Sequence, residues 1–155
     1  MEALLTTSRA LVGLAARSLS DLDADVTLPQ FRTLVVLAAR GPQRAIDLAG
    51  ELGVRPSTAT RMCDRLVRKK LVRRARPASN RREVRLTLTA AGRELVGTVI
   101  ERRRAELDRI VAALPDQPTA DAVRLLRAVS EAAGELPEQE WWLGWHENGD
   151  APPAS

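Results

Sequence analysis

The feature that most restricts the fold is a change of hydrophobic period midway along the chain. As far as Lys69 the apolar residues recur every three or four positions. Beyond it they alternate, with Val72 in "LVRRARP" and Val84, Leu86 and Leu88 in "RREVRLTLT". A period near 3.6 belongs to a helix and a period of 2 to a strand. "PASN" (77–80) separates the two alternating runs with turn composition, so the pattern predicts a two-stranded hairpin. Just ahead of it, "QRAIDLAGELGV" (43–54) reads as a short helix with Ile46, Leu48, Ala49 and Leu52 on its apolar side. Gly53 supplies the left-handed turn that ends this helix. A second one opens at Pro56 and runs to about Lys69. Two short helices joined by a Gly-centred turn make a helix-turn-helix unit.

Longer helices flank this unit. Leu4, Leu11, Val12, Ala15, Leu19 and Leu22 recur at helical spacing and predict a helix over about 2–20, broken by "DLDAD" (21–25). Thr27 and Gln30 have capping-box spacing, with Pro29 in the first turn, where its missing N–H is harmless. The helix they open buries Phe31, Leu34, Val35, Leu37 and Ala38 and stops at Gly41-Pro42. Thr89 caps a helix of about 90–113, some 36 Å long at about 1.5 Å per residue. Its stripe is Leu95, Val99, Ile100, Leu107, Ile110, Val111 and Leu114. "PDQP" ends it. A last helix over about 118–135 carries Val123, Leu126, Val129 and Ala133, and Pro137 closes the regular structure. The chain thus divides into an N-terminal helix (1–25), a helix-turn-helix domain with its hairpin (26–89), two C-terminal helices (90–136) and a Trp-containing, partly disordered tail (137–155). The fold class is mainly α, of the α+β type.

Charge is segregated along the chain. Of its 24 basic and 20 acidic side chains, 13 basic and only two acidic ones fall in residues 55–93. Both flanks are net negative. A basic block inside folded sequence points to a polyanionic partner, most often nucleic acid. The single cysteine, Cys63, excludes an internal disulfide, and with one histidine, His146, a Cys/His metal site within one chain is not expected. Neither a signal peptide nor a membrane-length apolar run is present, so a cytoplasmic protein that does not enter membranes is expected. No Gly-rich phosphate loop, nucleophile triad or carboxylate pair occurs; neither an enzyme nor a cofactor is expected.

The helix that follows Gly53 sorts into two faces. Ala59, Met62, Cys63, Leu66 and Val67 share the core side. Ser57, Thr58, Thr60, Arg61, Arg65 and Arg68 lie elsewhere, short hydroxyl residues first and arginines after. Short residues let a helix approach a major groove closely by its N-terminus. Hydroxyls and backbone N–H groups bond phosphates there, and Arg61 is long enough for a bidentate contact to a guanine edge. The hairpin adds Arg73, Arg74, Arg76, Arg81, Arg82 and Arg85, clustered at its tip and on the side facing away from the core.

Together, "RPSTATRMCDRLVRKKLVRR" and "NRREVRLTLTAAG" resemble the MarR family of bacterial winged-helix regulators, over about residues 28–95. The resemblance implies a winged helix-turn-helix fold with long dimerisation helices. It also implies a homodimer on a pseudo-palindromic DNA duplex. Each recognition helix would enter a major groove, and each hairpin, as a wing, a flanking minor groove. The family's wing carries Asp-x-Arg, which falls here on Asn80 and Arg82. Asn80 departs from that pattern: it can accept a hydrogen bond from Arg82 but forms no ion pair, which makes Arg81 a substitute. The resemblance further implies a repressor. A small-molecule effector lodged between the dimer helices and the winged domain would change the recognition-helix spacing, about 34–36 Å for successive grooves. With no Tyr and one Phe, its pocket would be mainly aliphatic, with arginines for an anion.

Three features stay outside this scheme. Cys63, on the buried face of its helix, reads as an inert structural thiol rather than a redox sensor. His146 reads as solvated. The tryptophans of "EWWLGWHE" (140–147) could pack on the dimer, bind a partner or decorate a mobile tail. The partner-binding option carries the rival function, a winged-helix protein-interaction module docking through its Trp-rich tail.

Overall fold

The computed structural model describes residues 1–20, 25–77, 80, 82–116 and 118–143. Within them the order is α1 (Glu2–Ser20), α2 (Leu28–Arg40), α3 (Ala45–Glu51), α4 (Pro56–Arg68), β1 (Val72–Ala75), β2 (Arg85–Leu88), α5 (Ala90–Ala112), α6 (Ala120–Ala132) and a 3-10 turn, Glu138–Glu140. The two strands pair antiparallel, with Val72 opposite Leu88 and Arg74 opposite Leu86.

Local signals set most helix ends. Thr27 Oγ1 accepts from the Gln30 N–H at 3.4 Å and Gln30 Oε1 from the Thr27 N–H at 3.3 Å, which completes the capping box. Gly53 has φ 62, the left-handed value that its place between α3 and α4 requires. Thr89 Oγ1 accepts from the Gly92 N–H at 3.0 Å and donates to the Lys70 carbonyl at 2.7 Å, so one side chain starts α5 and ties it to the end of α4. That end carries a conformation the sequence does not signal. Lys70 sits at φ 59, a left-handed position more often taken by glycine.

One core joins the helix-turn-helix unit to the middle of the chain. Phe31, Leu34 and Leu37 of α2 pack with Leu48, Leu66, Val72, Leu86, Leu88, Val96 and Val99. Several expectations need correction here. Helix α3 begins at Ala45, not residue 43, because the backbone of Gln43 pairs both ways with Leu86, at 3.1 and 2.7 Å, as a one-residue third strand. Ile46, expected on the apolar side, is exposed. Val84 lies outside the strand and is exposed, whereas Thr87 is buried, so β2 is covered on both faces instead of alternating. Helix α6 is shorter than the expected 118–135.

The apolar stripes at the two ends of the chain are left uncovered. Leu4, Leu11 and Val12 of α1, Ile110 and Val111 of α5, and Val123, Leu126 and Val129 of α6 are exposed, and α6 buries none of its residues. Leu22 lies outside the described residues.

Regular structure does not stop at Pro137. The 3-10 turn follows, and Trp141 and Leu143 pack against the main core. Residues 134–143 therefore form a strap that returns from α6 to α2. No helix among the described residues is long and apolar enough to cross a membrane.

Candidate nucleic-acid interface

Helix α4 turns one face inward and another to solvent. Ala59, Met62, Cys63 and Leu66 are buried, with Val67 half-buried beside them. Ser57, Arg61, Arg65 and Arg68 are exposed, and their spacings of four, four and three place them on one stripe. Thr60 is exposed too, but its hydroxyl donates to the Pro56 carbonyl at 2.9 Å, while Thr58 is half-buried. The Arg55 side chain makes no cap bond, so the basic residue at the head of α4 is exposed and stands beside the stripe. Arg55, directly before Pro56, thus adds an exposed charge that the residue types of the helix itself do not include.

The hairpin lies next to this face. Arg73, Arg76, Asn80 and Arg82 are exposed, and Arg81 lies outside the described residues. At the tip, Asn80 Oδ1 accepts from the backbone N–H of Arg82 at 3.2 Å. Asn80 thus braces the turn that carries Arg82 and leaves its guanidinium unheld by that bond. Arg85 is half-buried and pairs with Glu83 at 2.8 Å. Arg74 is exposed as well, but it is not free. It pairs with Asp64 of α4. A phosphate would have to compete with Asp64 for it. Sequence spacing could not reveal this link, because it depends on how β1 packs beside α4.

Cys63 is 2 % exposed, and burial, with a further push from Asp64, raises its thiol pKa to about 11. The reactive thiolate is suppressed at neutral pH. Part of the tryptophan segment is committed to the fold, while Trp142 is exposed. Trp141 and Leu143 pack on the chain's own core, and the Trp141 indole donates to the Leu136 carbonyl at 3.0 Å. Trp145 and His146 lie outside the described residues.

Between α2, α5 and the strap lies a cavity of about 470 Å³ whose walls include Val35, Ile100, Leu107, Arg103 and Trp141. Trp141 makes it less purely aliphatic than the composition suggests. The Arg103 guanidinium sits 5.9 Å from the Phe31 ring centroid, its Nε buried with no hydrogen-bond partner among the described residues. Burial pushes its pKa below the usual arginine value, with partial compensation from Glu138.

Comparison with known proteins points one way. The model of the MarR family matches residues 26–84. The HTH-type transcriptional repressor MdtR of Bacillus subtilis (strain 168) is 30% identical over 108 residues, 70% of each chain. Among solved structures, RV1404 from Mycobacterium tuberculosis superposes with a TM-score of 0.82 at 45% identity, over 88% of this chain and 92% of that one. A MarR family protein from Bacillus stearothermophilus gives 0.76 at 25% identity, over 86% and 92%.

Proposed function

The chain belongs to the MarR family of winged-helix, DNA-binding transcriptional regulators, and from that premise we propose that it acts in the cytoplasm as a ligand-responsive, homodimeric repressor. The observation that carries the DNA-reading part is the exposed stripe Ser57, Arg61, Arg65 and Arg68 on α4, with the basic hairpin beside it. In this reading α4 enters a major groove. Ser57, Thr58 and Thr60 approach the backbone, Arg61 reads a base, and Arg65 and Arg68 hold phosphates. Arg73, Arg74, Arg76 and Arg85 serve the flanking backbone. Asn80, Arg81 and Arg82 form the wing tip over the minor groove.

A homodimer is supported by the uncovered apolar residues of α1, α5 and α6, which a second copy would take out of water. The repressor role is supported by the relative MdtR, itself named a repressor. For an effector, the cavity beside Arg103 supplies apolar walls and a cation whose Nε has no partner among the described residues. These groups suit a small organic anion. Duplex titration across salt tests the DNA reading. With about six to ten phosphate contacts, affinity should fall about 10³- to 10⁵-fold between roughly 50 and 200 mM salt. Affinity that does not respond to salt would contradict it.

The wing carries its own prediction. Minor-groove readout distinguishes A·T from G·C and follows groove width. Arg82→Ala should weaken binding most on operators with A·T-rich flanks and lessen the salt slope by about one charge. Asn80→Asp keeps an acceptor for the Arg82 N–H and adds a charge near its guanidinium, so affinity should hold or rise. Titrations against operators differing only in their flanks check both. Equal binding of Arg82→Ala and wild type to every flank refutes the role.

A further inference from the structure

We propose that the strap, residues 134–143, is a positioning element that sets the distance between the two recognition helices of the dimer. The inference rests on the homodimeric DNA-binding reading above. It starts from α6, which buries none of its residues in the chain. Something else must fix this helix relative to the helix-turn-helix unit. Residues 113–119 join it to α5 at one end, and the strap joins it to α2 at the other.

The strap is attached at both backbone and side chains. The last four carbonyls of a helix have no partner within it. In α2 the Leu37 carbonyl accepts from the Gly41 N–H and the Arg40 carbonyl from Gln43 Nε2, at 3.1 and 3.2 Å. The other two are capped from more than a hundred residues downstream. Ala39 accepts from the Trp142 N–H at 2.9 Å and Ala38 from the Leu143 N–H at 3.3 Å. Arg40 donates to the Gly134 carbonyl at 3.0 Å, Arg32 pairs with Glu135, and Arg104 of α5 pairs with Glu138 at 2.7 Å. These ion pairs are solvent-exposed and individually weak. The backbone caps and the packing of Trp141 and Leu143 hold the strap.

The anchorage also lies on the route to the DNA-reading parts. The Trp142 ring covers Gly41, where an added Cβ would come within 2.8 Å of it, and Gly41 has φ 76. Two residues on, Gln43 pairs with Leu86 of the wing, and α3 follows. A shift of α6 is therefore passed through the strap to the end of α2, and from there to both the helix-turn-helix unit and the hairpin. The same strap walls the cavity beside Arg103.

The test is a series of duplexes with unchanged half-sites and spacers altered by one to three base pairs. Wild type should prefer one spacer by about 100-fold, because a second site reached only at the wrong span contributes little. Trp141→Ala/Leu143→Ala, which removes the packing, and Trp142→Pro, which lacks one capping N–H, should each reduce that preference to about tenfold. Base preference within each half-site and the dimeric mass should not change. A merely structural strap would lower affinity for all spacers alike. A wild-type spacer profile in Trp141→Ala/Leu143→Ala overturns the proposal, whether or not Trp142→Pro folds. Wild type binding a single half-site as tightly as two overturns the homodimeric reading instead, and this inference with it.

Discussion

Leu126→Glu/Val129→Glu should convert the protein to a monomer of 16.9 kDa that loses about 10²- to 10⁴-fold in operator affinity. Both side chains are exposed in the single chain, at 58 % and 41 %, and neither joins the main core. The variant should therefore keep its helical content. In a two-fold dimer each substitution occurs twice, so four carboxylates would enter one apolar contact. Their desolvation opposes association far more than the loss of two apolar side chains would alone. The DNA effect follows because the second half-site is then bound independently. Sedimentation equilibrium at micromolar concentration checks the first step. A dimer that survives both substitutions would place the interface elsewhere.

Gly92→Ala should strongly destabilise the protein. An added Cβ would lie 2.1 Å from the Leu71 carbonyl oxygen, a backbone atom that cannot rotate away. That oxygen accepts from the Thr89 N–H at 3.0 Å, so relieving the clash disturbs the junction of α4, β1 and α5. Overpacking of this kind costs typically about 1–3 kcal/mol, and here the upper end applies. For a chain of this length, about 3 kcal/mol corresponds to a melting point lower by roughly 6–12 °C. Gly50→Ala is the control, since a Cβ there meets nothing within 4 Å. Equal melting points for the two variants would contradict the packing described at Gly92.

The features legible in the sequence are those written within a few residues. Thr27 with Gln30, Gly53 before Pro56, and Thr89 ahead of an apolar stripe each specify a helix end locally, and the structure places them there. The inward face of α4 follows from spacing alone. What escaped depends on residues far apart in the chain. Gln43 looks helical until Leu86 claims its backbone. Arg74 looks like a free cation until β1 lies beside Asp64. The tryptophans look like a tail because nothing near them in sequence signals the open carbonyls of Ala38 and Ala39. In the candidate site, the α4 stripe and the basic hairpin were legible, whereas the partners of Asn80, Arg74 and Arg85 were not.

The central claim is that α4 reads DNA bases through Arg61 in a two-fold complex. Selection of bound duplexes from a random pool, with wild type and Arg61→Ala in parallel, tests it most directly. Wild type should return a pseudo-palindrome whose half-sites lie about 10 base pairs apart, centre to centre. Arg61→Ala should return the same symmetry with one position relaxed in each half, at a cost of about 1–3 kcal/mol on the wild-type site. An identical motif from both proteins, or no motif from wild type, would contradict the account.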